Sequence, residues 1–81
     1  MTAAQRRTLE LIRDGRPLHL LTGRDPSAFI ALDRGAHSVN LGTFFAIQKR
    51  GWIEQTATPV SGRRYGLSPA GRRALEERAD G

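Results

Sequence analysis

Two histidines, His19 and His37, are the only imidazoles in an 81-residue chain that has no cysteine. A structural zinc site usually draws four ligands from Cys, His and carboxylate groups. Two separated histidines without a thiolate do not supply one, so the sequence predicts no metal and no cofactor. Nucleophilic catalysis has no better foundation. The stretch "GLSPAG" sets a serine among glycines, but it is not the G-x-S-x-G elbow that exposes a nucleophile. Ser68-Pro69 reads instead as a helix start, with Ser as N-cap and Pro at the first helical position. The sequence thus predicts no catalytic residues and a protein that is not an enzyme.

The chemistry that remains is cationic. Arginine accounts for all basic residues but Lys49, the formal net charge is +5 and the sequence pI is about 11.3. That balance points to a polyanionic partner. The excess is uneven. Arg6, Arg7, Arg13, Arg16 and Arg24 outweigh Glu10 and Asp14 at the head. Lys49, Arg50, Arg63 and Arg64 outweigh Glu54 further on, while Arg72, Arg73 and Arg78 are cancelled by Glu76, Glu77 and Asp80. Lys49-Arg50 close an apolar-periodic run, and Arg63-Arg64 follow the turn-like pair Ser61-Gly62.

The elements that must position these cations follow from local signals. Residues 3–14 read as a helix capped by Thr2 and stopped by Gly15, with Ala4, Thr8, Leu9, Leu11 and Ile12 on its inner side. Residues 16–37 are open to two readings: a β-hairpin pairing 17–22 with 28–33, or a short helix starting at Asp25-Pro26 and ending at Gly35. Residues 39–50 predict a helix capped by Ser38 or Asn40 and ended by Gly51. Leu41, Phe44, Phe45 and Gln48 form its inner side, with Ile47 at its edge, and Gly42, Thr43, Ala46, Lys49 and Arg50 its outer stripe. "WIEQTA" and "RRYGL" read as strands around a "TPVSG" tip, and a last helix follows Ser68 with Ala70, Ala74 and Leu75 inward. The length suits one domain, 1–81. No apolar run approaches the roughly 18 residues of a membrane span, and the charged start lacks a signal-peptide core. The expectation is a soluble, cytoplasmic protein with no membrane partner.

The order of these elements, and the stretch "FFAIQKRGWIEQ…GRRYGLSPAGRRAL", resemble the winged helix-turn-helix domain of MarR-type and PadR-type bacterial transcription regulators. Arg50-Gly51-Trp52-Ile53 is similar to the end of a recognition helix in those families. Tyr65, Leu67, Ser68 and Gly71 match their Y-x-L-[ST]-x-x-G element. The likeness covers residues 38–78. It implies an α+β winged-helix fold of three helices and a C-terminal hairpin wing at 57–64. It implies a transcription regulator that binds double-stranded DNA, with helix 39–50 in the major groove. The families' helix before the recognition helix has no clear counterpart in residues 16–37, and their long dimerisation helices are missing.

The residues themselves fit that use. Gly42, Thr43 and Ala46 are small enough to let a helix backbone approach base edges; Asn40 suits an adenine edge, and a Thr or Ala methyl suits thymine. Ser38 and the free amides at the helix start suit a phosphate. Lys49, Arg50, Arg63 and Arg64 suit the backbone, or for the last two the minor groove. The same small-residue stripe would also serve a protein–protein contact, with a homodimer or another protein as partner. Trp52, Phe44 and Phe45 would serve RNA or single-strand stacking, although core packing suits them better.

Overall fold

Helix α1 (Ala3–Arg13) starts where the sequence places it. Thr2 accepts from the Gln5 amide at 3.1 Å and Gln5 Oε1 accepts from the Thr2 amide at 3.1 Å, a reciprocal capping box. Thr8, Leu9, Leu11 and Ile12 are buried; Ala4, expected inward, is exposed. Three strands follow: β1 (Leu18–Leu21), β2 (Ser27–Ala31) and β3 (Ala36–Val39). Then come α2 (Leu41–Lys49), β4 (Ile53–Ala57), β5 (Gly62–Leu67) and α3 (Pro69–Asp80). The computed structural model describes residues 1–58 and 62–80. The expected tip residues Pro59, Val60 and Ser61 lie outside the described residues.

The architecture is α+β, with three helices and a five-stranded antiparallel sheet in the order β3-β2-β1-β5-β4. Of the two readings of residues 16–37 the hairpin holds, with β1 paired to β2 from Leu18–Ile30 to Leu21–Ser27 in place of a helix from Asp25. A third strand, which the periodicity did not single out, runs from Ala36 to Val39. A strand, joined by Asn40 alone, therefore precedes α2, where the resemblance implies a helix. The C-terminal hairpin is also no isolated wing: β5 pairs with β4 on one side and with β1 on the other, Leu18 facing Tyr65 and His19 facing Arg64.

Side chains alternate across a strand, and the register sorts them into two faces. Leu18, Ala28, Ile30, Val39, Ile53 and Tyr65 are buried on one face together with Leu9, Phe44, Ile47 and Leu75 of the helices. Their neighbours His19, Phe29, Ser38 and Arg64 occupy the other face and are exposed or half-buried. All the core is thus on one side of the sheet.

A compact junction locks α2 to α3. Beyond α2, the Trp52 amide donates to the Ile47 carbonyl at 3.1 Å and the Gly51 amide to the Gln48 carbonyl at 2.9 Å, with Gly51 at φ +74°. This is a glycine-dependent helix end of the Schellman kind. The Ser68 hydroxyl donates to the Gly51 carbonyl and accepts from the Gly71 amide at 3.0 Å, while the Ser68 amide donates to the Trp52 carbonyl at 3.0 Å. Gly71 is buried, and a Cβ there would lie 2.0 Å from the Trp52 carbonyl oxygen. Gly71→Ala is therefore expected to destabilise the fold by about 2 kcal/mol or more. Ser68→Ala, which removes the cap, is expected to cost about 1–2 kcal/mol. Thermal melts check both, at roughly 4–8 °C per kcal/mol in a domain of this size; an unchanged midpoint for Gly71→Ala would contradict the close approach.

Candidate nucleic-acid interface

Helix α2 is shorter than 39–50 and rotated from the expected setting. Val39 pairs with Ala28 in β3 and is buried, so the chain is still extended there. Asn40 (φ −61°, ψ 135°) is the N-cap, its Oδ1 accepting from the Gly42 amide at 2.7 Å, and Arg50 is the C-cap. Ser38 is not a cap: it lies in β3, on the sheet face away from the helices. The buried positions of α2 are Phe44 and Ile47, with Leu41 packed against them. Phe44 stacks edge-on against Tyr65 with centroids 5.1 Å apart. Phe45, expected inward, is 57% exposed, and Gln48 is also exposed, its Nε2 3.5 Å from the Tyr65 hydroxyl.

The solvent-facing stripe of α2 therefore runs Gly42, Phe45, Lys49, with Gln48 exposed beside it. Thr43 and Ala46 are half-buried at its margin, and Gly42, Lys49 and Arg50 are exposed. No carboxylate lies between Leu41 and Arg50. Ala46, Lys49 and Arg50 share with Gln5 of α1 a groove of about 440 Å³. The Arg50 guanidinium sits 5.5 Å from the centre of the Trp52 ring, which holds it at the foot of the helix. Two ion pairs are present among the described residues, Arg6–Glu10 at 3.9 Å and Arg16–Asp33 at 3.5 Å. Neither involves Lys49, Arg50, Arg63 or Arg64.

Arg63 and Arg64 are both exposed, but they point to opposite faces of the sheet. Arg63 shares a row with Leu20, Ala28 and Val39, on the face that carries α2. Arg64 shares a row with His19, Phe29 and Ser38 on the other face. The structure thus brings Asn40, Gly42, Ala46, Lys49 and Arg50 together on α2, with Thr43 at the margin and Arg63 on the same side of the sheet. Ser38 and Arg64 stand apart from them. Phe45 and Gln48 are the α2 residues that sequence reasoning placed inward and the structure exposes; Ile47, wholly apolar and β-branched at the edge of that side, is the signal that the buried side runs 44–47.

Among the described residues, no cluster of three or more His, Cys, Asp or Glu groups could hold a metal, and no helix is long and apolar enough to cross a membrane. Comparison with protein-family models, with curated proteins and with solved structures finds no match to this chain.

The rotation of α2 has a direct consequence. Phe44→Ala is expected to cost about 3–5 kcal/mol, enough to unfold a domain of this size, whereas Phe45→Ala is expected to cost about 1 kcal/mol or less. Chemical denaturation of the two variants separates them; equal losses would return Phe45 to the core.

Proposed function

We propose that the protein binds double-stranded DNA through α2 and acts as a transcription regulator, on a winged-helix variant in which a β-hairpin takes the place of the helix before α2. The observation that carries the reading is the solvent-facing stripe of α2: Gly42 with the half-buried Ala46 at its margin, one exposed aromatic ring and a terminal pair of cations, with no carboxylate. Small side chains let a helix settle deep in a major groove, and a phenyl ring, like an alanine methyl, packs on a thymine methyl. The Asn40 amide nitrogen remains available beyond the cap for an adenine edge. Lys49, Arg50 and Arg63 supply phosphate contacts that orient the helix without reading sequence. Arg64, on the opposite face, takes no part in this contact. A second reading, docking on another protein, is favoured by Phe45, whose exposure suits an apolar anchor.

Salt separates the two. Each phosphate neutralised contributes about −0.9 to the slope of log affinity against log salt. Binding to a duplex recovered by selection from a random library is expected to show a slope of several units. Lys49→Gln and Arg63→Gln should each reduce it by roughly one and weaken preferred and scrambled duplexes alike. Arg64→Gln should leave it unchanged. Titrations of these three variants at several salt concentrations test this; a slope that none of them alters would remove duplex DNA from α2 and favour the protein partner.

A further inference from the structure

The face of the sheet away from the helices has chemistry of its own. Register sets Ser38, Phe29, His19 and Arg64 in one row across β3, β2, β1 and β5. The His19 and Phe29 rings stack, with centroids 5.1 Å apart and planes 22° from parallel. Both are half-buried, while Ser38 and Arg64 on either side are exposed. Leu21, two residues from His19 on the same face, is 42% exposed. No helix covers these rings.

The row continues into a basic cleft. The next position on this face of β5 is Gly66, whose missing side chain leaves room for Thr56: a Cβ there would lie 3.0 Å from the Thr56 methyl. The Thr56 hydroxyl donates to the Arg64 carbonyl at 3.3 Å. Thr56 and Gly66 also line a cleft of about 400 Å³ into which Arg13, Arg16 and Arg72 face from the end of α1, the following loop and α3. Arg16 is paired with Asp33 at 3.5 Å. Neither Arg13 nor Arg72 has an ion pair among the described residues. The carboxylates near the track are Asp33, the exposed Glu54, which faces Gly66, Asp14 beside Arg13 and Glu76 one turn beyond Arg72; among the described residues only Asp33 is paired with one of its guanidiniums.

Stacked rings beside a line of cations make the combination that holds an unpaired polynucleotide. Bases with a free π-face stack on the rings and phosphates lie along the guanidiniums. In a duplex those π-faces are already taken by neighbouring bases. We infer that this face binds a single-stranded polynucleotide, with bases stacked on His19 and Phe29 and the backbone passing Arg64 and Gly66 into the Arg13–Arg16–Arg72 cleft. The stacked rings and Arg64 lie on the opposite side of the sheet from α2, so this contact does not rest on the duplex reading.

Fluorescence anisotropy of the full chain with labelled oligothymidine of about twelve nucleotides, a length within the usual footprint, tests it. Phe29→Leu keeps an apolar side chain and removes the ring; it is expected to weaken binding roughly 5- to 100-fold. His19→Ala is expected to weaken it in the same direction, and serves alone if Phe29→Leu lowers the melting temperature. Arg13→Gln with Arg72→Gln should reduce the salt slope by about 1.4, at about 0.7 per contact on a single strand. The same variants titrated with duplex separate this site from α2, because loss of oligothymidine with duplex binding retained belongs to the sheet alone. Wild-type affinity for both Phe29→Leu and His19→Ala overturns the proposal. So does a loss that follows Lys49→Gln instead of the ring variants.

Discussion

The hydrogen bonds between the Gly51–Trp52 turn and the start of α3 are the constraint on which the rest of the arrangement depends. One hydroxyl, that of Ser68, caps α3 and satisfies the carbonyl that ends α2. The Trp52 carbonyl takes the Ser68 amide and comes so close to Gly71 that only glycine fits. The turn therefore has one docking position against α3. That position sets where β4 begins, and β4 aligns β5 through the pairing of Ile53 with Leu67 and Gln55 with Tyr65. It also presents Tyr65 to Phe44, so the rotation of α2 about its axis is coupled to the same contacts. In a chain this short the core is small and stability is marginal, so a single over-determined junction carries a large share of the specification.

The second constraint is the one-sided sheet. All three helices lie over the face of Leu18, Ile30 and Tyr65, and the other face keeps whatever alternation places there. A two-layer domain with one bare sheet face normally presents polar residues on it. Here the bare face carries a stacked His19–Phe29 pair beside Arg64, and the helical side carries an exposed phenyl ring above Lys49. The basic excess is thereby divided between two surfaces. Arg63 and Arg64, adjacent in the chain, serve different sides for the same reason that any two successive strand residues do.

Local chemistry is legible in the order of residues along the chain. Thr2 announces α1, Ser68 and Pro69 announce α3, and Gly51 announces the end of α2. Each is a signal between residues a few positions apart, with donors and acceptors that the chain cannot satisfy otherwise. The hairpin reading of residues 17–33 is available on the same terms. β3 is not: Ala36–Val39 is four residues long, with only Val39 buried, and its pairing with β2 supplies most of what keeps it extended. For the same reason α2 starts at Leu41, since Val39 is drawn into the sheet by Ala28.

By itself, then, the sequence determined the α+β class, the helix caps, the cationic character and the want of a metal or nucleophile motif, because all of these are properties of residue types and near neighbours. Only the tertiary structure decided which side of α2 faces water, which of two adjacent arginines accompanies it, and that His19 and Phe29 meet. Those outcomes hang on register between strands distant along the chain, such as Leu18 with Tyr65, and on the docking of Ile47 at the centre of the core. A one-residue change of register would reverse every facing, and no local pattern in these short strands is long enough to specify it.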